Sequence, residues 1–307
     1  MAFLPVENSK QGGGVSAPEA AKFAPMLPKA VTLNCRGHLL DLSRPVVMGI
    51  INLTPDSFYA DSRRQTTLQV LARAEQMLNE GASILDLGAQ STRPGAAAIT
   101  VEEELSRLLE PLHALCSRFP EVPVSVDTFY SRVAIASVEA GAGLINDISA
   151  GSRDPEMFPT IARLGVPYIL MHAKGTPATM QAEPAYRSVT EEVFDFLKEK
   201  MEQLQELGAA DLLVDPGFGF GKTAEHNFSL LHHLADFQLL GRPVVAGVSR
   251  KSMIHKTLHI KPEEALNGTT VLHTLALLNQ ANILRAHDVK QAVETIQLIQ
   301  SYNHAAL

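Results

Sequence analysis

The sequence predicts an α/β protein: a (β/α)8 TIM barrel with an N-terminal β-hairpin. Three observations predict it. Short apolar runs alternate with longer amphipathic runs from Pro45 onward. Eight such short runs can be read, the number that closes a parallel barrel. Several amphipathic runs end on a glycine, as in Asn79-Glu-Gly-Ala82, Glu139-Ala-Gly-Ala142, Arg163-Leu-Gly165 and Glu206-Leu-Gly-Ala209. Glycine is the residue that takes the left-handed conformation at a helix end without strain.

Residues 1–30 contain Gly12-Gly13-Gly14, several prolines and no period, and read as a loosely ordered N-terminal extension. Residues 31–307 then form a single domain. Residues 31–43 read as two short strands around Arg36-Gly37, a hairpin capping one end of the barrel. The barrel strands are Val46–Asn52, Ser83–Leu87, Val122–Asp127, Leu144–Ile148, Tyr168–His172, Leu212–Asp215, Val244–Val248 and Ile283–His287. They are short and apolar, and several are β-branched, as strands buried on both faces should be. Helical patterning is clearest over Thr67–Glu80, Glu102–Phe119, Glu191–Leu207 and Leu266–Asn279. Thr100/Glu103 and Ser188/Glu191 have capping-box spacing. Pro155 and Pro262 stand where a first helical turn accepts proline. An open doubly wound sheet is the alternative, but it would more often carry a glycine-rich phosphate loop after its first strand, and none stands there.

Composition narrows the function. The chain has 307 residues and a formal net charge of −7, so it carries no global field for nucleic acid. Its 46% hydrophobic content supports a substantial core. No apolar run reaches the length of a membrane span, and the N-terminus lacks the pattern of a secretory signal. The two cysteines, Cys35 and Cys116, stand in no metal-binding or disulfide spacing, which points to a reducing, cytoplasmic setting.

The carboxyl ends of the strands carry the chemistry. In order they present Asn52, Asp86 with the Ser91-Thr92-Arg93 loop, Asp127, Asn146-Asp147, His172, Asp215, Ser249-Arg250-Lys251, and Arg285 with His287. Barrel enzymes place their active sites on that face. Buried strand-end carboxylates such as Asp127 and Asp215 are costly unless they meet donors. They suit a ligand presenting a fork of N–H groups. Arg93, Lys251, Arg285 and His287 supply local positive charge for an anion. Together they describe one ligand with a donor-rich heterocycle and an anionic tail. Gly217-Phe-Gly-Phe-Gly221-Lys222-Thr223 imitates a P-loop, but the spacing fails because Pro216 stands where a glycine is required.

Seven segments, taken in order, resemble the dihydropteroate synthases of the pterin-binding barrel family. They are Met48-Gly-Ile-Ile-Asn-Leu-Thr-Pro-Asp-Ser-Phe58, Ser91-Thr-Arg-Pro-Gly95, Ser125-Val-Asp-Thr128, Asn146-Asp-Ile148, Asp215-Pro-Gly-Phe-Gly-Phe-Gly-Lys222, Ser249-Arg-Lys-Ser-Met-Ile254 and Arg285-Ala-His-Asp288. The resemblance covers roughly residues 45–300. It implies condensation of p-aminobenzoate with 6-hydroxymethyl-7,8-dihydropterin pyrophosphate. By resemblance, Asp127, Asn146, Asp215 and Lys251 hold the pterin ring. Arg285 stacks on the ring and, with His287, Asn52, Thr92 and Arg93, holds the pyrophosphate. Asn52 also contacts a magnesium ion. Ser252, Phe220 and Thr92 line the p-aminobenzoate pocket, and the catalytic set is Asp127, Lys251 and Arg285. The Thr54–Phe58 and Ser91–Gly95 loops would close over the site. The resemblance also implies a homodimer, with apolar surface on Leu266–Asn279 and Val289–Tyr302, and ordinary sensitivity to sulfonamides.

Two departures stand out. The family's fifth strand usually ends Met-His-Met-Gln-Gly, and here it reads Met171-His172-Ala173-Lys174-Gly175. The expectation is looser packing near the pterin and an added charge at the rim. After Phe58 the usual Ser-Asp-Gly-Gly becomes Tyr59-Ala60-Asp61-Ser62, a less permissive backbone. Two other readings share parts of this pattern. Folate-dependent methyltransferases to corrinoid proteins need neither a pyrophosphate site nor an arylamine pocket, so Ser249–Ser252, Thr54–Phe58 and Ser91–Gly95 argue against them. A non-catalytic pterin-binding barrel would have little use for so complete a rim.

Overall fold

In the computed structural model the described residues are 31–53, 60–90, 99–175 and 184–305. The extension 1–30 and the whole of the Thr54–Phe58 and Ser91–Gly95 segments therefore lie outside them.

The chain opens with an antiparallel hairpin, β1 (Thr32–Cys35) and β2 (His38–Asp41). Both turn residues have positive φ, 55° at Arg36 and 93° at Gly37. That is the two-residue turn whose twist matches paired strands. Eight parallel strands follow: β3 (Val46–Asn52), β4 (Ile84–Gly88), β5 (Val124–Asp127), β6 (Leu144–Asp147), β7 (Tyr168–Met171), β8 (Leu212–Asp215), β9 (Val245–Ala246) and β10 (Ile283–Ala286). They pair in the order β8-β7-β6-β5-β4-β3-β10-β9. A parallel bridge between Val214 and Val244 joins the two ends of that order and completes the barrel.

Between the strands lie α1 (Ala60–Asn79), α2 (Val101–Arg118), α3 (Ser131–Glu139), α4 (Met157–Leu164), α5 (Val189–Glu206), α6 (Ala224–His232), α7 (Ser252–Leu258) and α8 (Leu266–Leu278). α9 (Val289–His304) closes the described chain. No helix among the described residues is long and apolar enough to cross a membrane.

Side-chain alternation along each strand sorts residues into two layers. Outward residues such as Val47, Leu85, Val126, Ile145, Leu170 and Val214 pack beneath the helices. Inward residues at the amino-terminal ends, including Met48, Ile84, Leu144, Ile169, Leu213, Val245 and Ile283, fill the barrel interior. Leu33 and Cys35 of the hairpin, with Leu42, cover that layer from below. On β4, β5, β6, β8 and β10 the next inward residues up the barrel are polar, Asp86, Ser125 then Asp127, Asn146, Asp215 and Arg285, while β3 and β7 keep Ile50 and Met171 there. A single period of two thus separates an apolar plug from a polar floor.

The expected strands are all present, with small shifts at their ends. β5 begins at Val124 rather than Val122, because Pro123 has no N–H to give the ladder. The expected Val244–Val248 strand shortens to Val245–Ala246, with Val244 contributing only its bridge. α1 begins seven residues before the expected Thr67. Ala60-Asp-Ser-Arg-Arg-Gln contains too few apolar residues for periodicity to register. Thr100 caps α2, its hydroxyl accepting from Glu103 N at 3.2 Å. Ser188 makes no such bond at α5. Instead Glu192 Oε1 accepts from Arg187 N at 2.7 Å, which settles the helix start by another route. Pro262 opens a short 3-10 turn over Pro262–Glu264, and Pro155 stands just before α4. Gly81, Gly141, Gly165 and Gly208 all have positive φ, as the helix-ending pattern required.

Candidate active site

The polar floor is organised around Arg285 on β10. Its Nε donates to Asp86 Oδ2 at 2.7 Å and its Nη2 to Asp127 Oδ2 at 2.8 Å. Asn146 Nδ2 also points to Asp86 Oδ2, at 3.4 Å. The guanidinium therefore bridges two carboxylates from adjacent strands, β4 and β5. Burial works to strip the Arg285 proton, but Asp86 and Asp127 outweigh it and hold its pKa above the usual value. Burial pushes the Asp127 carboxyl up to about 7. Arg285 pulls it down, while Asp86, Glu104 and Asp147 push it further up.

Acceptors outnumber donors here. Asp86 Oδ1 is buried with no hydrogen-bond partner among the described residues. On β8, Asp215 takes Gly217 N on Oδ1 at 2.7 Å, and burial raises its pKa. Its Oδ2 faces Gly247, where an added Cβ would stand 3.6 Å away. Asp147, next to Asn146, turns outward instead. It accepts from Tyr168 Oη at 2.6 Å, Ser149 N and Oγ at 2.7 Å each, and Gly151 N at 2.8 Å. That carboxylate is committed to the fold. Asn146 remains on the floor, so the expected Asn146-Asp147 pair divides by strand parity.

Lys251 approaches from the β9–α7 loop. Its Nζ donates to Phe218 O at 2.6 Å and sits 4.2 Å from the centroid of the Phe220 ring. Burial lowers its pKa to about 8, against the pull of Asp215. Ser252, half-buried, is the next residue and the first of α7. Phe220 packs with Phe129, Ile148 and Met171 in a small apolar cluster, and Ala173 lies against it. The departure at Ala173 thus falls beside this cluster. The added cation at Lys174 is engaged at the rim, bonded to Ala185 O at 2.6 Å, 3.6 Å from Glu192 and 4.1 Å over the Tyr186 ring.

At the rim, Asn52 ends β3 and is exposed. A Cβ on Gly88 would stand 3.4 Å from Asp127 Cβ and 3.9 Å from Asn52 Oδ1, so glycine keeps the space between β3 and β5 open. His287 Nδ1 lies 3.2 Å from Ser249 Oγ, and Arg73 Nη2 donates to His287 O at 2.7 Å. Burial and the nearby Arg285 lower the His287 pKa to about 4. Its imidazole is therefore neutral at pH 7, and the positive charge expected of it is absent in the free chain. Arg250, beside Lys251, is spent on Asp288 through two bonds of 2.8 Å. Thr92 and Arg93 lie outside the described residues. The flanks of their segment are tied together: Ile99 N donates to Gln90 Oε1 at 3.2 Å, and Gln90 Nε2 reaches Glu104 Oε2 at 2.6 Å.

The floor thus brings Asp127, Asn146, Asp215, Lys251 and Arg285 together, with Asn52 and His287 above. Three residues went without a role in the sequence reading. Asp86 was noted only as a strand end, although its parity with Ile84 places it inward. Glu104 was not singled out at all, yet it is buried, and burial pushes its carboxyl up to about 7. Lys222 was set aside with the false P-loop, and it is buried too.

Known proteins place this geometry. The profile of the family described as pterin binding enzyme matches residues 48–287. The dihydropteroate synthase of Escherichia coli K12 is 43% identical over 271 residues, which is 88% of this chain and 95% of that protein. Among solved structures, the Yersinia pestis dihydropteroate synthase with a sulfonamide drug complex gives a TM-score of 0.84 at 40% identity, covering 89% of this chain and 100% of that one. The Xanthomonas albilineans dihydropteroate synthase with 4-aminobenzoic acid gives 0.83 at 41% identity, covering 89% and 98%. The same enzyme in complex with 7,8-dihydropteroate gives 0.79 at 39% identity, covering 89% and 99%. The chain belongs to the pterin-binding enzymes, among the dihydropteroate synthases.

Proposed function

We propose that this chain joins p-aminobenzoate to 6-hydroxymethyl-7,8-dihydropterin pyrophosphate, giving 7,8-dihydropteroate and pyrophosphate in folate biosynthesis. The observation that carries the reading is the surplus of buried acceptors on the barrel floor. Asp86 Oδ1, Asp127 and Asp215 present carboxylate oxygens where Arg285 alone supplies a fork of donors. A dihydropterin edge supplies the missing N–H groups, and pairing removes the cost of burying those oxygens.

In this reading Asp127, Asn146, Asp215 and Lys251 hold the ring, with Arg285 beside it. Arg285 already spends Nε and Nη2 on carboxylates, so its contribution to an anion falls to Nη1 and its charge. His287, Asn52, Thr92 and Arg93 take the pyrophosphate, and Phe220, Ser252 and Thr92 take p-aminobenzoate. The bond that breaks joins the pterin methylene to the bridging oxygen, and its electron pair leaves with pyrophosphate. Positive charge develops at the methylene and spreads into the ring, where the Asp127 carboxylate stabilises it. The arylamine nitrogen then bonds to the methylene and loses a proton to solvent. Asp127, Lys251 and Arg285 are the catalytic residues of this scheme.

A magnesium ion fits the rim in one mode. Asn52 offers a single amide oxygen, and among the described residues no three His, Cys, Asp or Glu side chains gather to hold a metal. That suits an ion carried mainly by substrate phosphate oxygens and water. Bound so, it would neutralise charge on the departing pyrophosphate.

A homodimer and a cytoplasmic setting complete the proposal. Val271, Leu275 and Leu278 on α8 and Leu298 and Tyr302 on α9 are exposed apolar side chains on helices that pack together. Cys35 and Cys116 are unpaired, as in a reducing compartment.

The test is pyrophosphate release from the dihydropterin pyrophosphate with Mg²⁺, with and without p-aminobenzoate, for the wild-type chain and Asp127→Asn. Release of pyrophosphate together with dihydropteroate, lost in the variant, supports the scheme. Pterin binding without turnover would sink it.

A further inference from the structure

The Gly217–Thr223 segment, unfit for a triphosphate, is folded around its own lysine. Lys222 Nζ lies 2.9 Å from Gly217 O, 3.1 Å from Phe220 O, 3.3 Å from His172 O and 2.9 Å from His172 Nδ1. The residue is 3% exposed, so water does not compete for these bonds. His172 is buried too, with its ring edge-on to Phe196 at 4.9 Å.

The loop is pressed onto the chain leaving β7. A Cβ on Gly217 would stand 1.8 Å from His172 O, and one on Gly221 would stand 2.2 Å from Lys174 O. Both glycines have positive φ, 73° and 65°. Only glycine permits that approach and that backbone. Gly217 O also accepts Phe220 N at 3.2 Å, and Lys222 is the side-chain donor set among the carbonyls of His172, Gly217 and Phe220.

The same loop presents its other face to the site. Gly217 N binds Asp215, Phe218 O takes the Lys251 ammonium, and the Phe220 ring lies under that ammonium. Of the residues assigned to the pterin, Asp215 and Lys251 touch this loop, whereas Asp127, Asn146 and Arg285 are held around Asp86 on β4, β5, β6 and β10 without it, so the pterin keeps most of its partners if the loop moves.

We propose that Lys222, backed by His172, is a positioning residue for the arylamine half of the site. Gathering the loop carbonyls on one nitrogen, Phe220 O among them, sets the Phe220 ring of the p-aminobenzoate pocket where it stands under Lys251, the neighbour of Ser252. The inference rests on the synthase reading and adds to it a residue that touches neither substrate.

The experiment is steady-state kinetics of Lys222→Met, Lys222→Arg and His172→Leu in the full chain. Each substrate is varied in turn with Mg²⁺, and thermal melts are recorded alongside. Loss of the carbonyl cage displaces the loop by a fraction of an ångström to an ångström, which is worth about tenfold or more in the substrate it positions. Lys222→Met is therefore expected to raise the p-aminobenzoate KM about tenfold, with a smaller change for the pterin substrate. Lys222→Arg should recover part of the loss. His172→Leu should raise the same KM by a lesser factor. A lower melting temperature with p-aminobenzoate KM unchanged overturns the proposal, as does an equal rise in both KM values. If Lys222→Met does not fold, His172→Leu decides: an unchanged p-aminobenzoate KM there also overturns it. Absence of turnover in the wild-type chain would instead be a failure of the synthase reading.

Discussion

Arg285 and Asp127 meet at 2.8 Å across a floor that also holds Asp86, and the guanidinium reaches both carboxylates at once. Neither partner can change without consequence for the other. The pair is buried, so removing the cation leaves two carboxylates without compensation. Arg285→Met is expected to lower stability by about 3–5 kcal/mol, because breaking a buried pair costs that much. Denaturant unfolding of the variant at neutral pH, with m unchanged, is the check.

Asp127 imposes a pH signature. Burial raises its folded pKa to about 7, above the unfolded value, so the folded state binds the extra proton. Its contribution to stability is full below the unfolded pKa of 3.8 and is lost as pH rises through about 7. Glu104, also raised to about 7 by burial, acts with the same sign. Unfolding free energy should therefore show a falling component between pH 4 and 7, flatter in Asp127→Asn and in Glu104→Gln. The proposed scheme uses the carboxylate, so kcat/KM should rise across the same window. Asp127→Asn should cost about a hundredfold or more in kcat, the usual scale for lost electrostatic stabilisation.

His287 works with the opposite sign. Burial, with Arg285 nearby, lowers its folded pKa to about 4, so the unfolded chain binds more protons between there and the unfolded value of 6.5. Stability from this group is present above 6.5 and is lost as pH falls through about 4. An anion placed against the ring would reverse the shift. Pyrophosphate binding at pH 6 should then take up a proton, seen as a calorimetric enthalpy that varies with buffer ionisation. His287→Gln should reduce that dependence.

Sulfonamides should inhibit as p-aminobenzoate mimics. Ser252 opens α7 directly after Lys251, and Phe220 sits beneath that ammonium. An inhibition constant within about tenfold of the p-aminobenzoate KM is expected, since both ligands would use the same contacts. A constant weaker by several orders of magnitude would show a pocket of another shape.

Leu33 separates fold from function. It is 1% exposed in the layer that plugs the barrel below the floor. Leu33→Ala should cost about 2–5 kcal/mol of stability through the cavity it leaves. Both KM values should stay unchanged at temperatures where the variant is folded.

Much of this was legible in the residues. Strand-end polarity marked Asp127, Asn146, Asp215 and Arg285, because a polar group at the end of a buried strand is costly without a partner, although Asp147 shows that the partner can be structural. The strand bounds drifted where an unpaired proline or a weak bridge decided the ladder, as at Pro123 and Val244. Partnership was harder to read. Nothing local tells that Arg285 turns to Asp86, 199 residues away, or that Lys222 faces His172 across 50. The capping box expected of Ser188 and Glu191 is not formed; the neighbouring Glu192 takes Arg187 N instead, a bond that the box spacing does not encode. Glu104 was hidden because a run of three glutamates at a helix start reads as solvated, and only its place against Gln90 shows otherwise.

The hairpin lid under the barrel gives the reaction chamber one door. Leu33, Cys35 and Leu42 stopper the amino-terminal mouth, and every inward residue above them is closed off from that side. Under the proposed assignment traffic would then queue. The heterocycle, whose proposed partners lie on the floor, would arrive before the arylamine that docks nearer the mouth. Pyrophosphate, assigned to rim residues, would depart without passing either. The joined product would retrace the path of its deeper half and leave last.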